Sequence, residues 1–378
     1  MQREEFLFVE KYRPKKVSEC ILPSDLQEPF SEYVEQGKVP NLILCGGPGS
    51  GKTTILRSIA GLYTPAAGKI SANESIWFDS NLGQNIAIQK RHVGMVFQHY
   101  ALFPHLTALD NITVALSHQE KDQQRKTAKE LLERVNMEGL DDRYPHQLSG
   151  GQQQRIALAR ALARDPKVLL LDEPFSAVDQ QTRRKLVREL VQLRSQLDIP
   201  IIHVTHDLNE ARRIADRICI IHHGNTLQID TPQKIMSQPR DKNVAHLVGH
   251  YNVFKATIER HDAEAKTTYI KWFEYILETS HRPDITIGEE VDWVIPSENL
   301  ILHRRDRPSK GEKENPVSGD IEDFTPLGEN LSVTIKVKGS EELLTMSVPS
   351  HVAQRNGLDK GGTISVSLLS DGIHLMKK

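Results

Sequence analysis

Cysteine is scarce in this chain: Cys20, Cys45 and Cys219 are the only three in 378 residues. Their number is odd and their spacing fits no metal-ligand pattern, so neither a disulfide framework nor a zinc site is expected. A reducing compartment follows. An excess of charge of either sign is also lacking. Lys and Arg number 48 against 50 Asp and Glu, a formal net charge of -2, which leaves no electrostatic case for nucleic acid or an anionic membrane. No apolar run approaches the roughly 20 residues of a membrane span. The start, Met1-Gln2-Arg3-Glu4-Glu5, lacks the layout of a signal peptide. With 38% hydrophobic residues, the expectation is a soluble cytoplasmic chain of two or three domains.

What the chain does have is a glycine loop. Gly46, Gly47, Pro48, Gly49, Ser50, Gly51, Lys52, Thr53 and Thr54 fill the phosphate-binding pattern G-x-x-x-x-G-K-[ST]. The apolar run Asn41-Leu42-Ile43-Leu44-Cys45 before it predicts a buried strand, and residues 55–62 after it predict a helix. Strand, loop and helix are the context the motif needs. Its glycines let successive backbone N–H groups turn inward around phosphates, at a helix N-terminus that favours anions. Lys52 is placed to reach the β- and γ-phosphates, and the Thr53 hydroxyl to hold Mg²⁺.

Further polar groups follow apolar strands. Gln98 ends the run Val93-Gly94-Met95-Val96-Phe97; alone, it reads as a polar boundary. Leu131, Leu132 and Val135 share one face of a predicted amphipathic helix. Leu148, Ser149, Gly150, Gly151 and Gln152 open another helix, with backbone N–H groups free to face an anion. Val168-Leu169-Leu170-Leu171 predicts a buried parallel strand that ends in Asp172, Glu173 and Pro174. Carboxylates just past such a strand sit where α/β sheets bind ligands. Asp172 suits Mg²⁺, and Glu173 suits the polarising of an attacking water. A second apolar strand, residues 199–205, delivers His206. Singly, an Asp-Glu pair is commonly a helix cap, and a histidine is commonly structural.

In this order and content the set resembles the ABC transporter ATPases over roughly residues 50–250. Walker A lies at 46–53, the Q-loop residue is Gln98, the signature is 148–152 and Walker B is 168–173. The D-loop is Ser176-Ala177-Val178-Asp179 and the switch histidine is His206. Thr205-His206-Asp207-Leu208-Asn209-Glu210-Ala211 is similar to the importer subfamily. The resemblance implies ATP and Mg²⁺ as ligands, with Thr53, Gln98 and Asp172 around the metal. Lys52 and His206 would neutralise charge, while Glu173 and Gln98 position the water. It also implies a homodimer in which Ser149, Gly150, Gly151 and Gln152 of one subunit, with Asp179, close over ATP held by the other. A membrane permease and a solute-binding protein complete the implied assembly, placing the chain on the inner face of the cell membrane.

After about residue 250 the pattern changes. Leu331, Val333, Ile335 and Val337 alternate with period two. Ile364, Val366 and Leu368, then Asp371-Gly372, then Ile373 and Leu375 predict a β-hairpin. Residues 304–316 form a charged linker with acids and bases interleaved. Two β lobes, about 251–303 and 317–378, resemble the small-barrel TOBE appendage of importer ATPases. Phe324-Thr325-Pro326-Leu327-Gly328-Glu329 is similar to the molybdate and tungstate type, which implies an oxyanion cargo.

The N-terminal segment reads differently. An ABC ATPase places two strands before Walker A, one followed by an aromatic that stacks on adenine, and neither is evident. Instead Glu10-Lys11-Tyr12-Arg13-Pro14, Cys20-Ile21-Leu22-Pro23 and residues 37–44 resemble the start of an AAA+ clamp loader over about 1–54. No Ser-Arg-Cys arginine-finger motif follows. The expected architecture is therefore α/β: a clamp-loader-like segment at 1–40, then an ABC-type P-loop NTPase at 41–245. The latter has a helical subdomain inserted at about 99–165, and a small all-β OB/TOBE-like domain follows at 246–378. The function implied is ATP hydrolysis powering an importer. The alternatives are a DNA-dependent clamp loader, or a chimera joined at the loop that only binds nucleotide.

Overall fold

The computed structural model describes residues 41–72, 75–176, 178–197, 199–303 and 314–377. The clamp-loader-like stretch 1–40, Tyr12 included, and Ala177 of the D-loop lie outside the described residues. The chain divides into two compact units between Pro232 and Gln233.

In the first unit, strand β1 (Leu42–Cys45) leads through the glycine loop into helix α1 (Lys52–Ala60). Three short strands, β2 (Lys69–Ala72), β3 (Ser75–Asp79) and β4 (Gln84–Asn85), pair in a small antiparallel sheet. β5 (Val93–Val96) then precedes a helical stretch of α2 (Ala108–Thr113), α3 (Lys121–Arg134) and α4 (Gly150–Leu162). β6 (Val168–Asp172), α5 (Gln180–Arg194), β7 (Ile201–Thr205), α6 (Leu208–Ile214), β8 (Arg217–His222) and β9 (Asn225–Asp230) complete it.

The main sheet runs β5-β6-β7-β1-β8-β9, parallel except for the antiparallel edge β9. The Val/Ile/Leu runs of β1, β6 and β7 are buried throughout, as strands covered on both faces require. Asn41 ties the base of the sheet together. Its Oδ1 accepts from the Ile201 amide at 3.1 Å, and its Nδ2 donates to Asp216 Oδ2 at 3.0 Å. On α3 the predicted apolar face holds: Leu131 and Leu132 are buried, and Val135 just beyond the helix joins them.

The second unit is a two-sheet antiparallel domain preceded by short helices α7 (Pro232–Ser237) and α8 (Lys242–Leu247). Its strands are β10 (Val253–Asp262), β11 (Thr267–Trp272), β12 (Tyr275–Ser280), β13 (Glu290–Val294) and β14 (Leu300–Leu302). Then come β15 (Pro316–Leu327), β16 (Asn330–Val337), β17 (Leu343–Pro349), helix α9 (Ser350–Arg355), β18 (Thr363–Leu368) and β19 (His374–Met376). The sheets run β12-β11-β10-β13-β19 and β14-β18-β15-β16-β17.

The hairpin expected at 364–375 does not form. β18 pairs with β14 and β15, whereas β19 pairs with β13 in the other sheet. The turn at Ser370–Gly372 passes the chain from one sheet to the other. Alternation correctly marked the buried positions Ile364, Val366, Leu368, Ile373 and Leu375, all in one apolar cluster with Phe254, Trp272 and Trp293. It carried no information about which strand lay alongside.

Two buried asparagines blunt the open edges of these sheets. Asn252 Nδ2 donates to the Thr345 carbonyl on β17 at 2.8 Å, and its Oδ1 accepts from the same residue's amide at 2.7 Å. Asn315 does the same to Glu278 on β12 at 2.9 and 2.7 Å, and also donates to the Leu368 carbonyl.

Candidate active site

The site collects at the carboxyl ends of β1, β6 and β7, three neighbours in the parallel sheet. β1 enters the loop at Gly46, where only glycine fits, since a Cβ would lie 2.0 Å from the Ile221 carbonyl oxygen. Gly51 caps α1 with a φ of 91°, a left-handed turn that favours glycine. The first amides of α1 are thereby left facing outward from the helix start. At Gly47 and Gly49 nothing lies within 4 Å of where a Cβ would stand, so the loop's outer face is open.

Lys52 is buried, and its Nζ spans the loop. It donates to the Gly46 and Gly47 carbonyls at 2.8 and 2.9 Å and to Ser50 Oγ at 3.0 Å. Burial pulls its pKa below the usual ammonium range, opposed first by the nearby Glu173 carboxylate. The Thr53 hydroxyl donates to Asp172 Oδ1 at 3.0 Å. These two hard oxygens, one from the helix and one from the end of β6, are the donor type that Mg²⁺ takes alongside phosphate oxygens. The cradle and the oxygens fit a nucleotide triphosphate with its magnesium.

Glu173, the residue after β6, has a φ of 44°, a left-handed conformation costing a non-glycine residue about 1–3 kcal/mol. Its amide donates to the Val204 carbonyl at 3.0 Å, and its own carbonyl accepts from the Ser176 amide and hydroxyl at 3.2 and 2.9 Å. So held, its Oε2 faces His206 Nδ1 at 3.4 Å. Lys52, Thr53, Asp172, Glu173 and His206, far apart in sequence, thus share one edge.

The other predicted residues sit elsewhere in the unit. Gln98 is exposed in the turn just after β5. Ser149 caps α4 in a reciprocal box with Gln152: the Gln152 amide donates to Ser149 Oγ at 3.3 Å, and the Ser149 amide to Gln152 Oε1 at 2.8 Å. Gly151 packs closely on α5, its notional Cβ 3.3 Å from Thr182. Asp179 caps α5, accepting from the Gln181 and Thr182 amides at 3.0 Å each. The side chains of Ser149 and Gln152 bond to each other's backbone amides within this turn.

Sequence reasoning overlooked the surroundings of His206. Asp207 caps α6 with Glu210 three residues on, a pattern that reads as a capping box. The structure diverts that glutamate: buried Glu210 accepts from the Thr205 hydroxyl, and Arg183 of α5 lies beside it. The spacing gave no signal for that.

A glycine loop on a parallel sheet, a lysine inside it and paired acids beyond the neighbouring strand define a P-loop ATPase. The chain matches the model of the ABC transporter family over residues 28–176. It is 37% identical over 330 residues to the sulfate/thiosulfate import ATP-binding protein CysA of Pseudomonas putida, covering 85% of this chain and 86% of that protein. It is 40% identical over 279 residues to the Fe(3+) ions import ATP-binding protein FbpC of Photorhabdus laumondii, covering 72% and 75%. Among solved structures, the dimeric post-hydrolysis state of the ATP-binding cassette MJ0796 bound to ADP and Pi is 33% identical, covering 52% and 86%, with a TM-score of 0.44. The chain belongs to the ABC transporter family, as an ATP-binding subunit of the importer type. It is an ATPase that uses ATP with Mg²⁺. No helix among the described residues is long and apolar enough to cross a membrane.

Proposed function

We propose that this chain hydrolyses ATP with Glu173 as general base and His206 as its partner at the γ-phosphate. The observation that carries this reading is the meeting of Lys52, Thr53–Asp172 and Glu173–His206 on one sheet edge. Phosphoryl transfer to water needs charge neutralisation and in-line placement more than covalent help. Lys52 and the loop amides hold the phosphates, and Thr53 and Asp172 would hold the magnesium, with Gln98 approaching from β5. The magnesium, when bound, neutralises phosphate charge. Glu173 takes the proton of the attacking water, and His206 steadies that carboxylate at 3.4 Å.

The turn at Ser149, Gly150, Gly151 and Gln152 would serve a second copy's nucleotide, with Asp179 at the same junction, so the active form is a homodimer. The subunit works on the inner membrane face with a permease and a solute-binding protein. The β domain at 246–378 is read as TOBE-like and the cargo as a tetrahedral oxyanion such as sulfate, molybdate or tungstate. The likeness of residues 324–329 to the molybdate type and the sulfate importer among the relatives support that reading. Uptake of labelled sulfate and molybdate by cells lacking this chain is expected to fall while Fe(3+) uptake holds; the opposite pattern overturns the cargo assignment.

We also retain the clamp-loader resemblance of residues 1–54 as a proposal of a join at the glycine loop. Amplification across codons 40–60 from source DNA gives one continuous product if the join is natural. ATP turnover by wild type and Glu173→Gln, with and without primed DNA, tests the main reading. Glu173→Gln is expected to lose about 10²- to 10⁴-fold in kcat, with no response to DNA in either protein. Equal turnover in both overturns the catalytic assignment, and stimulation by primed DNA favours the clamp-loader alternative.

A further inference from the structure

The backbone on either side of His206 is held by a single hydroxyl. Thr205 Oγ1 donates to Glu210 Oε2 at 2.6 Å and accepts from the Asp207 amide at 3.0 Å. His206 is the residue bracketed between those two bonds. Thr205 and Glu210 are both buried, at 2% and 7% exposure, so water does not compete for either bond.

The same carboxylate reaches a second element. Glu210 Oε1 faces Arg183 Nε at 3.7 Å, and Arg183 Nη1 faces Asp207 Oδ2 at 3.6 Å. Arg183 Nε is buried and has no hydrogen-bond acceptor, so the Glu210 carboxylate is its compensating charge. Arg183 lies in the first turn of α5. Its amide donates to the Asp179 carbonyl at 2.9 Å, and its Nη2 reaches the Val178 carbonyl at 3.5 Å. Arg183 thereby reaches both the turn at 178–179 and the two acids that follow His206, Asp207 and Glu210.

We infer that Glu210, held between Thr205 and Arg183, is a positioning residue: it fixes the backbone that aims His206 at Glu173 and links that aim to the 178–179 turn. This rests on the hydrolytic reading of Glu173 and His206. Neither Glu210 nor Arg183 touches the reacting atoms, so the effect falls on the rate of the bound complex and not on nucleotide affinity.

Steady-state ATP hydrolysis by the full chain, with Glu173→Gln alongside, tests it. Glu210→Gln keeps the shape and removes the charge; its kcat is expected to fall about tenfold, a fraction of what a 1 Å misplacement costs. KM for ATP should stay within about twofold of wild type. Thr205→Val is expected to reproduce the loss, and Thr205→Ser, which keeps the hydroxyl, to restore most of it. Adding Arg183→Gln to Glu210→Gln should cost less than about twofold more, because both act through one contact. Thr205→Val keeps the shape of threonine and replaces only the hydroxyl by a methyl, so its comparison with wild type stands even if Glu210→Gln folds poorly. A Glu173→Gln protein as fast as wild type sinks the hydrolytic reading and this inference together. A slow Glu173→Gln beside an unchanged kcat in Glu210→Gln overturns the positioning role alone. So does a Thr205→Ser no better than Thr205→Val, or a loss that appears wholly in KM.

Discussion

The two units each put a set of buried polar groups to a different use. In the ATPase unit one set gathers at a single sheet edge: Lys52, Asp172, Thr205 and Glu210 are all buried there. Beside them Glu173 holds a strained φ of 44°. In the β unit the buried amides of Asn252 and Asn315 are spent on closing sheet edges, every amide group paired with backbone. The core there is one aromatic-centred cluster, with Trp272 and Trp293 edge-to-face at 5.1 Å. The difference separates two uses of desolvation. One unit excludes water to sharpen charge at a reacting edge, and the other excludes it to make a fold unique.

The strongest way to break that comparison is to empty the β core. Trp293→Ala is expected to cost about 3–5 kcal/mol, read as a lowered denaturation midpoint, with ATP turnover per folded molecule unchanged. Glu173→Gln should show the mirror image, losing turnover without losing stability. If Trp293→Ala slows turnover as much as it lowers stability, the division of labour is wrong. A smaller effect belongs to Asn315→Ala, which leaves the Glu278 and Leu368 groups without partners. About 1–3 kcal/mol of stability should disappear, measurable by urea unfolding.

A further effect appears only in acid. His203 on β7 is fully buried, with neither ring nitrogen hydrogen-bonded, and burial pushes its pKa down to about 3. In the unfolded chain the imidazole titrates near the ordinary value of about 6.5. Below that pH the unfolded state binds a proton that the folded state refuses. Stability therefore falls as pH drops through the window from about 6.5 to 3, by roughly 1.4 kcal/mol per pH unit. His203→Phe, packed against Phe175, removes that slope; between pH 7 and 5 it should spare the ATPase unit about 2 kcal/mol. In the β unit, burial pushes His374 to about 4, so its own acid slope ends sooner. An identical acid response in wild type and His203→Phe rejects this account.

Much of the ATPase unit was legible because its chemistry is written in short contiguous runs. The loop at 46–54, the acids after Leu171 and the histidine after Thr205 each follow a run of Val, Ile and Leu that only a buried parallel strand explains. Glu210 and Arg183 were not legible. Their meeting depends on how α5 and α6 pack, which no short run of residues records. The β unit failed at the level of partners. Alternation placed Leu368 and Leu375 inward correctly, but it could not say that their strands belong to different sheets.

That exchange of strands also sets a timetable for folding. The sheet begun at Val253 is completed only by His374–Met376 against β13, where Val294 meets His374, a separation of 80 residues (374 − 294). Contacts of such separation form late and slowly. During synthesis the edge of β13 therefore stays open while all the intervening strands are made, and it is exposed to mispairing over that interval. β19 thus acts as a latch: its short three-residue edge takes the place of the longer edge of β13.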